Sequence, residues 1–169
     1  TTSIRYTQAS GCFAETVFTV LAVPGDVTGS SSLCEGATTV LSSAGIGPWS
    51  RSNTAVATVA GADGSATVSG ISAGTATITH TLGATGCFKT AVVSINAVPA
   101  AISGGSSLCQ GTSLSLVSSP LGGTWFSSAT GVATIGASTG TVSGIAAGTA
   151  TVSYTTGASC FSTIVVTVL

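Results

Sequence analysis

Apolar and polar residues alternate along this chain in short runs punctuated by glycine. In GTATITHT (74–81) the residues Ala76, Ile78 and His80, continued by Leu82, alternate with Thr75, Thr77, Thr79 and Thr81. A period of two in β-branched residues predicts a strand with one apolar face and one threonine face. TTVLS (38–42) and SLSLV (113–117) place Leu41 and Leu116 on one face in the same way. The run after Cys87 sends Val93 and Ile95 inward, and the run after Cys160 sends Val166 and Val168 inward. Trp49 and Trp125 each follow a glycine- or proline-containing turn and lead an alternating strand, which predicts two core indoles. With Ile78 and Val152, these residues make up the predicted core.

The pattern repeats. GISAGTATITHT (70–81) returns as GIAAGTATVSYT (144–155). SSLCEG (31–36) returns as SSLCQG (106–111), AVATV (55–59) as GVATI (131–135), and GCFKTAVVSINAV (86–98) as SCFSTIVVTVL (159–169). The register drifts slightly because a turn at 60–66 is longer in the first copy. SIRYTQASGCFAETVFTVLAV (3–23) aligns with TITHTLGATGCFKTAVVSINAV (77–98). The expected organisation is therefore a hairpin closing a preceding unit at 1–23, a unit at 24–98 and a unit at 99–169, so that the chain begins inside a repeat. Six to eight short strands in roughly 74 residues predict an all-β fold of tandem antiparallel β-sandwiches, end to end. Pro24 and Pro99 mark short, stiff junctions.

WSRSNTAVATV (49–59) followed by ATVSGISAGTATIT (66–79) resembles the bacterial immunoglobulin-like domain of group 2. The resemblance covers both units and the hairpin. The added LC and CF cysteines are similar to repeats in large secreted surface and adhesin proteins of Bacteroidetes-type bacteria. It implies an immunoglobulin-like sandwich in a structural stalk or fibre at the bacterial cell surface, supporting adhesion. The second unit departs from the pattern at Phe126, where serine is usual.

The five cysteines fall into two repeat positions: Cys34 and Cys109 in one, Cys12, Cys87 and Cys160 in the other. No C-x-x-C spacing occurs, so a disulfide framework and an oxidising compartment are expected rather than zinc. Pairing within units gives Cys34–Cys87 and Cys109–Cys160 and leaves Cys12 unpaired or bonded outside the chain. That pairing requires the SLC segment to lie beside the start of the last strand, because sulfurs at opposite ends of a domain are too far apart to bond. The rival scheme, Cys12–Cys34 and Cys87–Cys109, staples adjacent units.

Candidate chemistry is sparse. Charged residues make up 4% and the net charge is −1, so no basic surface for nucleic acid or anionic lipid is expected. No apolar run is long enough for a membrane-spanning helix. His80 is replaced by Tyr6 and Tyr154 in its repeat positions, which suits an amphipathic ring on a core face better than a catalytic base. Glu15, Asp26, Glu35 and Asp63 are scattered, so no catalytic residue, cofactor or metal site is expected. Phe13, Phe88 and Phe161 alternate out of phase with the core positions and are expected outside, against a neighbour. Few charges guard the strand edges, which points to O-linked sugars or to lateral packing in a filament. Expected partners are neighbouring repeats or identical subunits, with a cell-surface or polysaccharide ligand as a further possibility. The alternatives to a stalk are a carbohydrate- or ligand-binding module, which needs a concave patch with an exposed Trp or Tyr and convergent polar groups, and a spacer beside a secreted enzyme.

Overall fold

The computed structural model describes residues 1–156 and 160–169; Ser159 of the second CF motif lies outside them. Among the described residues every regular element is a strand, seventeen in all. The hairpin is β1 (Thr2–Thr7) and β2 (Phe13–Phe18), paired from Thr2↔Phe18 to Thr7↔Phe13. The first sandwich holds β3 (Ser32–Cys34), β4 (Thr38–Ser42), β5 (Trp49–Arg51), β6 (Ala57–Ala62), β7 (Ser65–Gly70), β8 (Gly74–Thr81) and β9 (Phe88–Asn96). Its sheets are ordered β3-β9-β8-β5 and β4-β7-β6.

The second sandwich holds β10 (Ser103–Gly104), β11 (Ser107–Leu108), β12 (Ser113–Val117), β13 (Thr124–Ser127), β14 (Ala133–Ile135), β15 (Thr141–Gly144), β16 (Gly148–Thr155) and β17 (Phe161–Val168). Its sheets are β11-β17-β16-β13 and β10-β12-β15-β14. The all-β tandem sandwich expected from the alternation is the architecture observed.

Each sandwich closes over its own interior. One core contains Leu33, Leu41, Trp49, Val68, Ile78 and Val93 among others; the second contains Leu108, Leu116, Trp125, Val152, Tyr154 and Val166 among others. No residue belongs to both. The burial of β8 alternates as the period of two requires, with Ala76, Ile78 and His80 enclosed and the threonines partly wet.

Two local features differ from the sequence reading. First, the sheets are not wholly antiparallel. β3 runs parallel to β9, with Leu33 opposite Ile95 and Cys34 opposite Asn96. β11 runs parallel to β17 in the same way. No tight turn joins these pairs, so nothing imposes antiparallel pairing, and the parallel register brings Leu33 into the core beside Ile95. Second, the longer 60–66 stretch of the first copy is mostly strand. β6 and β7 stay paired through Ala62↔Ser65, which leaves Asp63 and Gly64 as the turn. Asp63 takes φ 57°, in the left-handed region that Asp tolerates better than most residues.

Candidate functional site

The histidine and the two tryptophans lie in the cores, whereas Glu15, Asp26 and Asp63 are exposed and Glu35 half-buried. Trp49 is 8% exposed and its indole Nε1 donates to the Asp63 carbonyl at 2.8 Å. It stacks on His80, with ring centroids 4.5 Å apart. His80 is fully buried. The Ser43 hydroxyl donates to the Gly25 carbonyl at 2.6 Å, so at 3.0 Å it accepts from His80 Nδ1. His80 Nε2 has no partner among the described residues. In the second sandwich Tyr154 takes the place of His80 and tilts over Trp125, which is 6% exposed. Its hydroxyl donates to the Pro120 carbonyl at 2.7 Å and accepts from Gly123 N–H at 2.8 Å. One repeat position thus anchors its strand to the preceding turn with two different side chains. Leu41, Leu116, Ile78, Val152, Val93 and Val166 are all buried.

Phe13, Phe88 and Phe161 are exposed, each with a valine four residues on, also exposed: Val17, Val92 and Val165. Arg5 lies over the Phe13 ring at 3.4 Å.

The cysteines need correction. The structure bonds Cys34 to Cys160, with Cα atoms 5.7 Å apart and a sequence separation of 126. Neither Cys34–Cys87 nor Cys109–Cys160 forms within a unit; Cys87 and Cys109 are free, as is Cys12. The reason is the direction of β3. Cys34 pairs with Asn96 at the far end of β9, whereas Cys87 precedes Phe88 at its near end. A strand of that length separates them by about 27 Å, against the 4.4–6.8 Å a disulfide tolerates. The rival scheme fails as well. It joins a first-position cysteine to the unit before it, whereas Cys34 bonds to the unit after it.

Cys34 and Cys160 meet because they occupy facing poles. Cys34 stands beside the last residue of β9, and Cys160 immediately precedes β17. The junction also carries a hydrogen bond from the Ser162 hydroxyl to the Pro99 carbonyl, at 2.5 Å. Backbone contacts continue through Ala100 N–H to the Ser119 carbonyl at 2.8 Å. At the preceding junction the Thr85 hydroxyl donates to the Ala22 carbonyl at 3.1 Å. There Lys89 Nζ donates to Asp26 Oδ1 at 2.7 Å. That hydrogen bond, with the ammonium charge behind it, holds the Asp26 carboxyl below its ordinary value. Sequence reasoning missed the Cys34–Cys160 bond. Its one available signal was the distance problem of the within-unit pairing.

Among the described residues no cluster of three or more His, Cys, Asp or Glu is arranged to hold a metal ion. No helix is long and apolar enough to cross a membrane. The hollow beside Trp125 and Tyr154 holds about 80 Å³ and an open one beside Ala100 and Ser118 about 260 Å³. Both fall below the roughly 300–1,000 Å³ typical of small-molecule sites, the second only narrowly.

No family model matches the chain, and no curated protein matches it significantly. Solved structures do. The chain is similar to a C-terminal 282-residue fragment of intimin, solved with the intimin-binding domain of the translocated intimin receptor. Identity is 14% and the TM-score 0.63, over 86% of this chain and 64% of that one. Domains 4 and 5 of the surface-layer protein SbsC align at 20% identity and TM-score 0.37, over 88% of this chain and all of theirs. A tandem pair of titin immunoglobulin domains aligns at 12% identity and TM-score 0.38, over 86% of this chain and 95% of theirs. The latter two superpose too loosely to carry weight. The chain spans 64% of the intimin fragment's length, and what it shares with that fragment is a fold, immunoglobulin-like sandwiches in tandem.

Proposed function

We propose that this chain is a load-bearing segment of an extracellular stalk or fibre at a bacterial surface, built from a hairpin at 1–23 and immunoglobulin-like units at 24–98 and 99–169, and serving adhesion without catalysis. The observation that carries this reading is the Cys34–Cys160 bond between two sandwiches that each have their own core. Such a bond is not needed to close either interior. It persists in oxidising surroundings, which supports a place outside the cytoplasm. The resemblance to group 2 immunoglobulin-like repeats supports a bacterial surface protein.

The bond changes the path of force. Tension entering from the N-terminal side reaches Cys34, crosses the sulfurs to Cys160 and leaves along β17. The 126-residue separation is bypassed, so unfolding of the bridged region releases almost no length. A fully extended chain spans about 3.3–3.6 Å per residue, so the bypass hides on the order of 400 Å. Single-molecule pulling from the two ends tests this. The oxidised chain should extend about 400 Å less than the Cys34→Ser variant before reaching its full contour. Equal contours would remove the mechanical role.

A second reading, lateral packing of rods into a filament, is favoured by the exposed Phe88/Val92 and Phe161/Val165 pairs on the outer faces of β9 and β17. Sedimentation at high concentration tests it: self-association supports it, and a strict monomer counts against it. A carbohydrate site stacked on tryptophan finds no support, since both indoles are enclosed.

A further inference from the structure

We propose that Cys109 is the open half of a second inter-sandwich cystine, and that its partner is a cysteine of the Cys12, Cys87 and Cys160 class on another unit of this repeat. Of that class, Cys160 is bonded to Cys34 and Cys87 is only partly exposed, so the member open to a second copy of the chain is the exposed Cys12. The inference rests on the repeat and on the bond already present, and it does not require the adhesive role.

The Cys34–Cys160 bond states a rule in repeat terms. The first-position cysteine of one unit bonds to the second-position cysteine of the unit that follows. Cys109 is the first-position cysteine of the second sandwich, and its backbone setting reproduces that of Cys34. Around Cys34, Glu35 N–H donates to the Asn96 carbonyl at 2.9 Å, Gly36 N–H to Gly70 at 3.0 Å, and Ala37 N–H back to Cys34 at 3.0 Å. Around Cys109, Gln110 N–H donates to the Leu169 carbonyl at 3.1 Å, Gly111 N–H to Gly144 at 2.9 Å, and Thr112 N–H back to Cys109 at 3.1 Å. Gly36 and Gly111 take the same left-handed φ, 77° and 80°. Cys109 therefore stands at the far pole of the second sandwich as Cys34 stands at the far pole of the first. They differ in that Cys34 closes β3 and faces a partner, whereas β11 ends one residue before Cys109, which is exposed.

The class of partner follows from what Cys160 is. It directly precedes Phe161 and the last strand, as Cys12 precedes Phe13 and β2. Cys12 is exposed on a hairpin whose apolar residues, Ile4, Tyr6 and Val17 among them, are also exposed. Cys87 is less accessible, and its pole already faces the 19–23 segment through the Thr85–Ala22 hydrogen bond. Within one copy, Cys12 belongs to the hairpin ahead of the first sandwich and Cys109 stands beside the last residue of the second, with both sandwiches between them in the chain. Between copies it continues the rule head to tail. Two thiols form the bond and together release two protons and two electrons. A disulfide oxidant such as oxidised glutathione accepts them and is reduced to two thiols.

The test mixes nitrogen-15-labelled and unlabelled copies of the 169-residue chain at high concentration in oxidised glutathione. Remaining thiols are then alkylated and the chain is cut without reduction. The expected products are a Cys34–Cys160 peptide within copies, a Cys12–Cys109 peptide of mixed label, and alkylated Cys87. A denaturing gel should show a ladder that reductant collapses. Cys109→Ser should abolish the ladder while the Cys34–Cys160 peptide and the enclosed-tryptophan fluorescence persist. The proposal is overturned if Cys34–Cys160 forms and Cys109 is recovered alkylated or bonded to any cysteine other than Cys12, or if the Cys12–Cys109 peptide carries only unmixed label. Loss of Cys34–Cys160 itself would instead overturn the junction on which both this proposal and the load-bearing reading stand.

Discussion

At the scale of the residue, side-chain alternation decides what each position contributes. Leu41 is buried on β4 and its neighbour Val40 points outward. Leu41→Ala should therefore cost about 3 kcal/mol, through lost transfer energy and the cavity left behind. Val40→Ala should stay within about 0.5 kcal/mol, as surface substitutions do. Urea denaturation followed by tryptophan fluorescence checks both. His80 teaches the same lesson. Its alternation with Tyr6 and Tyr154 marked it in the sequence as an amphipathic core ring, and its ring is enclosed against Trp49. Its partner Ser43 was not legible there, because the contact spans 37 residues and depends on how the two sheets face each other.

At the scale of the element, the parallel contact of β3 with β9 depends on a small residue at the end of β7. A Cβ on Gly70 would meet the Cys34 carbonyl oxygen at 3.0 Å and an Ile95 methyl at 2.9 Å. Gly144 stands in the same relation to Cys109 and Val168. Gly70→Ala should therefore push β3 outward, costing about 1–3 kcal/mol as overpacking does. It should also lower the yield of Cys34–Cys160, read by thiol titration of the folded chain. The ion pair that ties β9 to Asp26 is a smaller matter. Lys89 lowers the Asp26 pKa, so the pair's contribution is present above the unfolded carboxyl's pKa and is lost as pH falls through the lowered folded value. Both groups are well exposed, so the effect on stability is slight. Lys89→Ala should move the Asp26 titration, followed by carbon-13 chemical shifts, back up toward 3.8.

At the scale of the whole molecule, the single cystine couples two cores that are otherwise separate. Closing a loop of 126 residues is worth about 5 kcal/mol in the chain-entropy model. Replacing Cys34 and Cys160 by serine should lower the stability to urea by up to about that amount. Each sandwich keeps its own core, so far-ultraviolet circular dichroism should not change. A loss of sheet signal would mean that the sandwiches do not fold without the bond.

The sequence by itself determined the strands, the inward faces and the all-β tandem architecture. Those rest on a period of two and a repeat, both local properties that survive in one dimension. Leu41, Ile78, Trp49 and their second-unit counterparts could be assigned to a core without knowing what they touch. Only the tertiary structure decided which cysteines meet. Disulfide formation requires two Cα atoms within a few ångströms, and that distance turns on the direction of one three-residue strand, β3, too short to carry a sequence signal of its own. Laid parallel to β9, it moves Cys34 away from Cys87 and places it across the junction from Cys160.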